Sequence, residues 1–379
     1  MRGASVVVWG VLLGLTVGCT LPSTFHAIRR ELAALPAGSA VPDPPGLSRY
    51  KGVIHVHTRL SHDSRGEESE IARAAKSAGL DFVMLTDHNS PAIFEPGSRS
   101  EQDGVLFIRG AEIGCEGRYI LAVGLQRSID SQKMTCADVT AAVTEQGGVP
   151  FAAHPGKSTQ WDDPSLAGVE VWDLYDEAKV DRWRYLAWAP DILVWYGTYP
   201  DEILSRIIRR PDQALAAFDA QTVRRRLTAI GTPDAHQNIR IPGRQLDPYP
   251  LAFRLVPVYL LAEDGSRDAL LGALRRGRAY FAFEVFKPAP SFTFRAVDAA
   301  GAVWSMGDEV SQSPGLTVEV FAPSRGRITI VRDGRVLSRI EGTYASAPVE
   351  GPAVYRAEVE ISVQGRWRSW IFSNPIYVR

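Results

Sequence analysis

Across residues 50–287, short apolar runs alternate with segments of helical period; past Pro288 the helical period disappears. Strands separated by helices point to a parallel sheet or barrel with helices outside. The strand runs are residues 53–56, 81–85, 105–108, 119–123, 149–153, 168–172 and 228–230, and the helical segments are 67–78, 137–146 and 212–227. Beyond Pro288 the runs 292–295, 316–321, 327–331, 354–362 and 367–372 are short and β-rich, and Asp333-Gly334 is a hairpin-turn signal. The predicted fold is therefore α/β over residues 50–288, followed by a small antiparallel β-sandwich over 289–379. With 42 Lys+Arg against 43 Asp+Glu and 45% hydrophobic residues, the 379-residue chain has an ordinary globular composition. A disordered or collagen-like chain is excluded. The balanced charge argues against a nucleic-acid-binding surface.

The N-terminus reads as an address. Residues 1–18 form an export signal, with Arg2 ahead of an apolar run over 5–17. Thr16-Val17-Gly18-Cys19 resembles a bacterial lipobox, which makes Cys19 the lipidation site and the mature N-terminus. Residues 19–49 contain Pro22, Pro36, Pro42, Pro44 and Pro45 and read as a tether, with only 25–35 able to form a short helix. The expected location is the bacterial cell envelope, on the periplasmic face of an outer membrane where two membranes exist, because Thr20 rather than Asp follows the cysteine. In that oxidising space Cys115 and Cys136 could pair or stay as buried thiols.

The chemistry gathers at strand ends. In Val53-Ile54-His55-Val56-His57 the two imidazoles lie at i and i+2, about 7 Å apart along a strand and on one face. Asp63 follows in the next loop. Thr86-Asp87-His88 ends a strand, and Asp87 could hold that loop. Glu112 sits in an apolar run, where an unpaired carboxylate needs a cation or strong donors. Ala153-His154-Pro155 and Asp234-Ala235-His236 end two further runs. Each piece alone is ordinary structure. Together they place nitrogen and oxygen donors at several strand ends, where strand–helix barrels collect functional residues, and this favours a metal site.

In order, His55-Val56-His57-Thr58, His62-Asp63-Ser64, Thr86-Asp87-His88, Gly110-Ala111-Glu112, Ala153-His154-Pro155 and Asp234-Ala235-His236 resemble the motifs of the PHP (polymerase and histidinol phosphatase) superfamily. With the lipobox and the C-terminal strands, the chain looks most like its exported branch of carbaryl-hydrolase-like metallohydrolases. The resemblance implies a distorted seven-stranded (β/α) barrel holding two or three divalent ions. One ion would take His55, His57, Glu112 and Asp234, another Asp63, His88 and His236, and a third His154 with Glu112 as a bridge. Tyr119 stands where many members have a further histidine, which leaves two or three ions open.

Nitrogen and oxygen donors without thiolate fit Mn, Fe or Zn. The expected activity is phosphoester hydrolysis by a metal-bridging hydroxide, on a small-molecule or cell-envelope substrate. The same parts could instead hydrolyse an ester, amide or carbamate, and a non-catalytic cell-envelope binding protein is the reading of a different class. His62 and Asp87 are the candidate catalytic residues, His62 as general acid and Asp87 in support. Arg59, Arg118, Lys157 and Arg240 lie near the ligands in sequence and are the candidate phosphate contacts. Residues 161–209 are rich in Trp and Tyr, which could fill a core or form a wall that sets specificity.

Overall fold

A computed structural model describes residues 19–95, 100–154, 161–180 and 182–379. The expected signal peptide and Lys157 lie outside the described residues. The first part is a mixed sheet of β1 (Ser48–Val56), β2 (Phe82–Leu85), β3 (Val105–Cys115), β4 (Arg118–Val123), β5 (Val149–Ala152), β6 (Gly168–Asp173), β7 (Thr228–Thr232), β8 (Val258–Ala262) and β9 (Ala279–Ala282). Spatially the order is β9-β8-β1-β2-β3-β4-β5-β6-β7. The pairs β1–β2, β2–β3, β5–β6 and β6–β7 are parallel, and the others are antiparallel.

The outer edges of this sheet meet. The Asn374 amide donates to the carbonyls of Ala229 on β7 and Ala279 on β9 and accepts from the Ala229 N–H. Beyond β7, Ala235 exchanges backbone hydrogen bonds with His55 and His57. The central strands are buried along their whole length, as in β2 and β6, because they are covered on both faces.

Helices α2 (Glu68–Ser77) and α3 (Cys136–Glu145) both start with a capping box, Glu67 with Glu70 and Thr135 with Asp138. Further along come α4 (Leu174–Val180), α5 (Arg182–Trp195), α6 (Pro200–Leu204), α7 (Asp212–Thr222), α8 (Tyr249–Leu255) and α9 (Arg267–Arg276). Helix α9 starts at the Ser266 cap and stops at Gly277, whose φ of 78° is the left-handed value favoured by glycine. A disulfide joins Cys115 at the end of β3 to Cys136 at the start of α3, which settles the pairing left open by sequence.

The longer strands that follow are β10 (Thr293–Val297), β11 (Val303–Ser305), β12 (Thr317–Arg332), β13 (Arg335–Pro348), β14 (Ala353–Val363), β15 (Arg366–Ser373) and β16 (Ile376–Val378), paired antiparallel with one another, and the two-residue strand Glu309–Val310 pairs parallel with β16. Asp333 and Gly334 have φ of 48° and 76° and turn β12 into β13, as the dipeptide predicts. The two runs read at 316–321 and 327–331 belong to the single strand β12, which carries irregular register between them. Hydrogen bonding continues across the predicted boundary at 288, since β9 pairs with β15 from Tyr280–Ser373 to Ala282–Ile371.

Within residues 19–49, the short helix expected over 25–35 is present as α1 (Pro22–Ala34), which buries Phe25 and Leu32, two residues on one helical face. Phe25 stacks on Tyr199 with ring centroids 4.8 Å apart, and Arg29 pairs with Glu202. Among the described residues no helix is long and apolar enough to cross a membrane.

Candidate metal centre

Strand β1 does not deliver its two histidines by simple alternation. The β1–β2 register shifts between Ile54 and Val56, and His55 at that bulge has φ of 66°. His154 and Asp234 are also left-handed, at 59° and 40°. Such conformations cost about 1–3 kcal/mol each and persist where surrounding structure enforces them, typically at functional sites. Here the strain turns three side chains from β1, the end of β5 and the end of β7 toward one point.

At that point His55 Nε2 and His57 Nε2 each lie 3.2 Å from Asp234 Oδ1, and 3.4 and 3.5 Å from Glu112 Oε2. Donors about 2.1 Å from a shared ion stand about 3.0–3.4 Å apart, so this quartet has the spacing of a coordination shell. His57 Nε2 and Asp234 Oδ1 are buried without a hydrogen-bond partner, a costly arrangement that a cation would relieve. Asp63 Oδ2 lies 3.1 Å from His88 Nε2 and 3.3 Å from His236 Nε2, and His57 completes that group. Glu112 reaches both ways: Oε2 is 3.3 Å from His88 Nδ1 and Oε1 is 2.9 Å from His154 Nε2. The structure thus brings together His55, His57, Asp63, His88, Glu112, His154, Asp234 and His236.

The rings are held from behind, which fixes which nitrogen faces inward. His55 Nδ1–H donates to Glu170 Oε1 at 2.7 Å. Ser61 Oγ donates to Asp87 at 2.7 Å and so accepts from His57 Nδ1–H at 3.0 Å. His236 Nδ1–H donates to the Asp234 carbonyl at 2.9 Å.

Burial opposes charge throughout, but the carboxylates outweigh it at most of the imidazoles. Asp234 and Glu170 hold His55 well above its ordinary value; Asp176 and Glu112 raise His154 to about 11; Asp63 and Asp234 raise His236 to about 9. His57 moves the other way, lowered by burial and by His236. Glu112 is held well below the carboxylate range by His154 and His55 despite its burial. A cation entering this cluster would displace protons from His154 and His236, so its affinity rises with pH through neutrality.

Sequence reasoning missed Glu170, Asp173 and Asp176. Glu170 is buried at the centre of β6, where it also accepts from the His154 N–H at 2.8 Å and from Thr232 Oγ at 2.7 Å. Asp173 lies 3.8 Å from His55 Nδ1, and Asp176 lies 3.4 Å from His154 Nδ1. The signal was present in Gly168-Val169-Glu170-Val171-Trp172-Asp173, where a carboxylate interrupts an apolar run as Glu112 does.

Asp87 takes the supporting place expected of it: its oxygens accept from Thr58 N–H, Thr58 Oγ and Ser61 Oγ, so it is a positioning residue behind His57. Three expectations need correction. Arg59 is exposed and paired with Glu67 at 2.7 Å. Arg118 lies beside Glu116 at 3.5 Å, and Arg240 donates to Gln245 at 2.5 Å; neither lines the cavity. Long arginines near ligands in sequence found partners on the surface instead. Among the described lining residues the ammonium group is that of Lys179, whose Nζ sits 3.3 Å from the centroid of the Tyr175 ring. His62 stands at the rim, 4.9 Å from His88 between ring centroids. Tyr119 lines the cavity edge-on to His154.

No family model matches the chain. An uncharacterised protein of Methanocaldococcus jannaschii is 28% identical over 142 residues, covering 33% of this chain and 82% of that protein. A solved two-domain protein of Bacteroides vulgatus, described as containing a predicted PHP-like metal-dependent phosphoesterase, has a TM-score of 0.43 and 15% identity, covering 90% of this chain and 99% of its own.

Proposed function

We propose that the protein is a metal-dependent phosphoesterase of the PHP type, exported and anchored through Cys19. The observation that carries this reading is the quartet His55 Nε2, His57 Nε2, Glu112 Oε2 and Asp234 Oδ1 at coordination spacing, with Glu112 reaching toward His88 and His154. The ions held by His55, His57, Glu112 and Asp234, by Asp63, His88 and His236, and beside His154 would acidify a water and neutralise charge on phosphoryl oxygens. Oxygen and imidazole donors without thiolate suit Mn, Fe or Zn.

The chain's own groups do the rest. Glu170, Ser61 and the Asp234 carbonyl hold three imidazoles in the tautomer that presents Nε2 inward. Lys179 contacts the phosphoryl oxygens from the cavity wall. His62 at the rim donates a proton to the departing alkoxide. The Cys115–Cys136 disulfide supports an oxidising compartment and hence export.

One observation favours a second reading, hydrolysis of an ester or carbamate: no arginine lines the cavity among the described residues. Elemental analysis of protein purified without chelator, with turnover of nitrophenyl phosphates and nitrophenyl acetate, decides. Two or more equivalents of transition metal with phosphate turnover is the expected result. Metal with acetate turnover alone selects the second reading. No metal and no turnover after resupply of Mn, Fe and Zn overturns both.

A further inference from the structure

Beside the metal centre lies a second cavity of about 460 Å³, a volume that suits a small ligand. Tyr175 and Lys179 line both. Apart from Lys179 and Asp247 the described lining of the second is aliphatic or aromatic, with Ala178, Trp188, Ile192, Ile203 and Leu251 among its walls. Nothing in the hydrolytic chemistry requires it.

Helix α5 forms one wall, and it is apolar on more than one face. Tyr185, Trp188 and Ile192 recur at helical spacing on the cavity side. Leu186 and Leu193, seven apart, are 66% and 51% exposed on another. Exposed leucines on the face away from the cavity are apolar surface that a nonpolar partner would cover. Asp191 of the same helix accepts from the Thr20 N–H and Oγ, each at 2.6 Å. The residue after Cys19 is therefore clamped to the wall of the apolar cavity, and a lipid surface reached through Cys19 would lie close to it.

We infer that this cavity receives the alkyl chain of an amphiphilic phosphoester, whose head group lies over the metal centre, with Lys179 at the junction. The inference rests on the phosphoesterase reading. Because Tyr175 and Lys179 line both, the polar and the apolar cavity adjoin at these two side chains.

The test is calorimetric binding of butyl, octyl, dodecyl and benzyl phosphonates, and of dodecanol, to the full chain with and without chelator. Affinity is expected to rise about threefold to fourfold per methylene until the cavity is full. Dodecanol binding should ignore the chelator, while phosphonate binding should weaken in it. Ala178→Phe and Ile192→Arg, which obstruct the cavity from different helices, should each flatten the series; circular dichroism reports whether each has folded. A series already flat in the wild-type protein, with butyl phosphonate still sensitive to chelator, overturns the alkyl site and leaves the phosphoesterase reading standing. Length-dependent binding that ignores the chelator supports the alkyl site and overturns that reading. Benzyl phosphonate binding as tightly as dodecyl would assign the cavity to an aryl group, and a length gradient kept in both folded variants would place the chain elsewhere; either overturns the inference.

Discussion

The molecule buries two clusters of charge, and they are built on opposite principles. Where α7 meets β14, Arg356 clamps Asp219 with bonds of 2.6 and 2.7 Å and reaches Glu358 at 2.5 Å. Arg210 holds Glu358 by two bonds of 2.7 Å. Every carboxylate there has a guanidinium on it. The metal centre collects Glu112, Glu170, Asp173 and Asp234 with no guanidinium lining it among the described residues, and leaves His57 Nε2 and Asp234 Oδ1 buried without a hydrogen-bond partner. The first cluster is complete as it stands and ties the two halves of the chain together. The second is incomplete in the way a divalent cation would complete. Burial and charge alone do not mark a functional site; unmet valence does.

The sharpest way to break this contrast is to remove one donor from the second cluster. Asp234→Asn should lower kcat/KM on nitrophenyl phosphate by about 10³-fold, since a bound ion contributes several kcal/mol to the transition state, and should reduce metal content. Unchanged turnover and metal content would remove Asp234 from the ligand set. The corresponding blow to the first cluster is Arg356→Met, which strands Asp219 in a buried position. It should cost about 3–5 kcal/mol in urea denaturation without altering metal content. Third, Glu170→Gln keeps the shape behind His55 and His154 but removes the charge. Metal affinity by competition with a chelator should fall about 10- to 100-fold, the usual effect of losing a supporting carboxylate. An unchanged affinity would make Glu170 a packing residue.

The strand–helix alternation and the strand-end donors were legible because apolar runs and buried polar residues are local signals. The bulge at His55 was not, since the left-handed turn of a histidine is imposed by its neighbours. β13 escaped notice because Arg335–Pro348 lies on an outer edge, where exposed positions dilute the alternation. Strands β8 and β9 were overlooked although both are wholly buried. Helix α1 was legible as a short helix, but its docking through Phe25 against Tyr199 was not, because that contact joins residues far apart in the chain. The same distance hid Lys179, the ammonium group among the described lining residues.

The smallest effect discriminates the two clusters by sign. Glu358 is depressed, because Arg210 and Arg356 outweigh its burial. The unfolded chain then binds the proton more tightly than the folded one. Its contribution to stability is complete above the ordinary carboxylate range and is lost as pH falls through the folded value. Asp173 is raised well above that range, by burial first and then by Asp234 and Glu170. Here the folded chain binds the proton more tightly, so stability declines as pH rises from the ordinary carboxylate value through the folded one. In chelated protein, Glu358→Gln should therefore lose stability relative to wild type at pH 7 and draw level in acid. Asp173→Asn should match wild type in acid and gain on it toward pH 7. Adding metal should shrink the gain at Asp173, because the ion supplies the missing positive charge, and should leave the Glu358 profile alone. If both variants followed the same pH profile with and without metal, the two clusters would be electrostatically equivalent, and the argument for cations at one of them would fail.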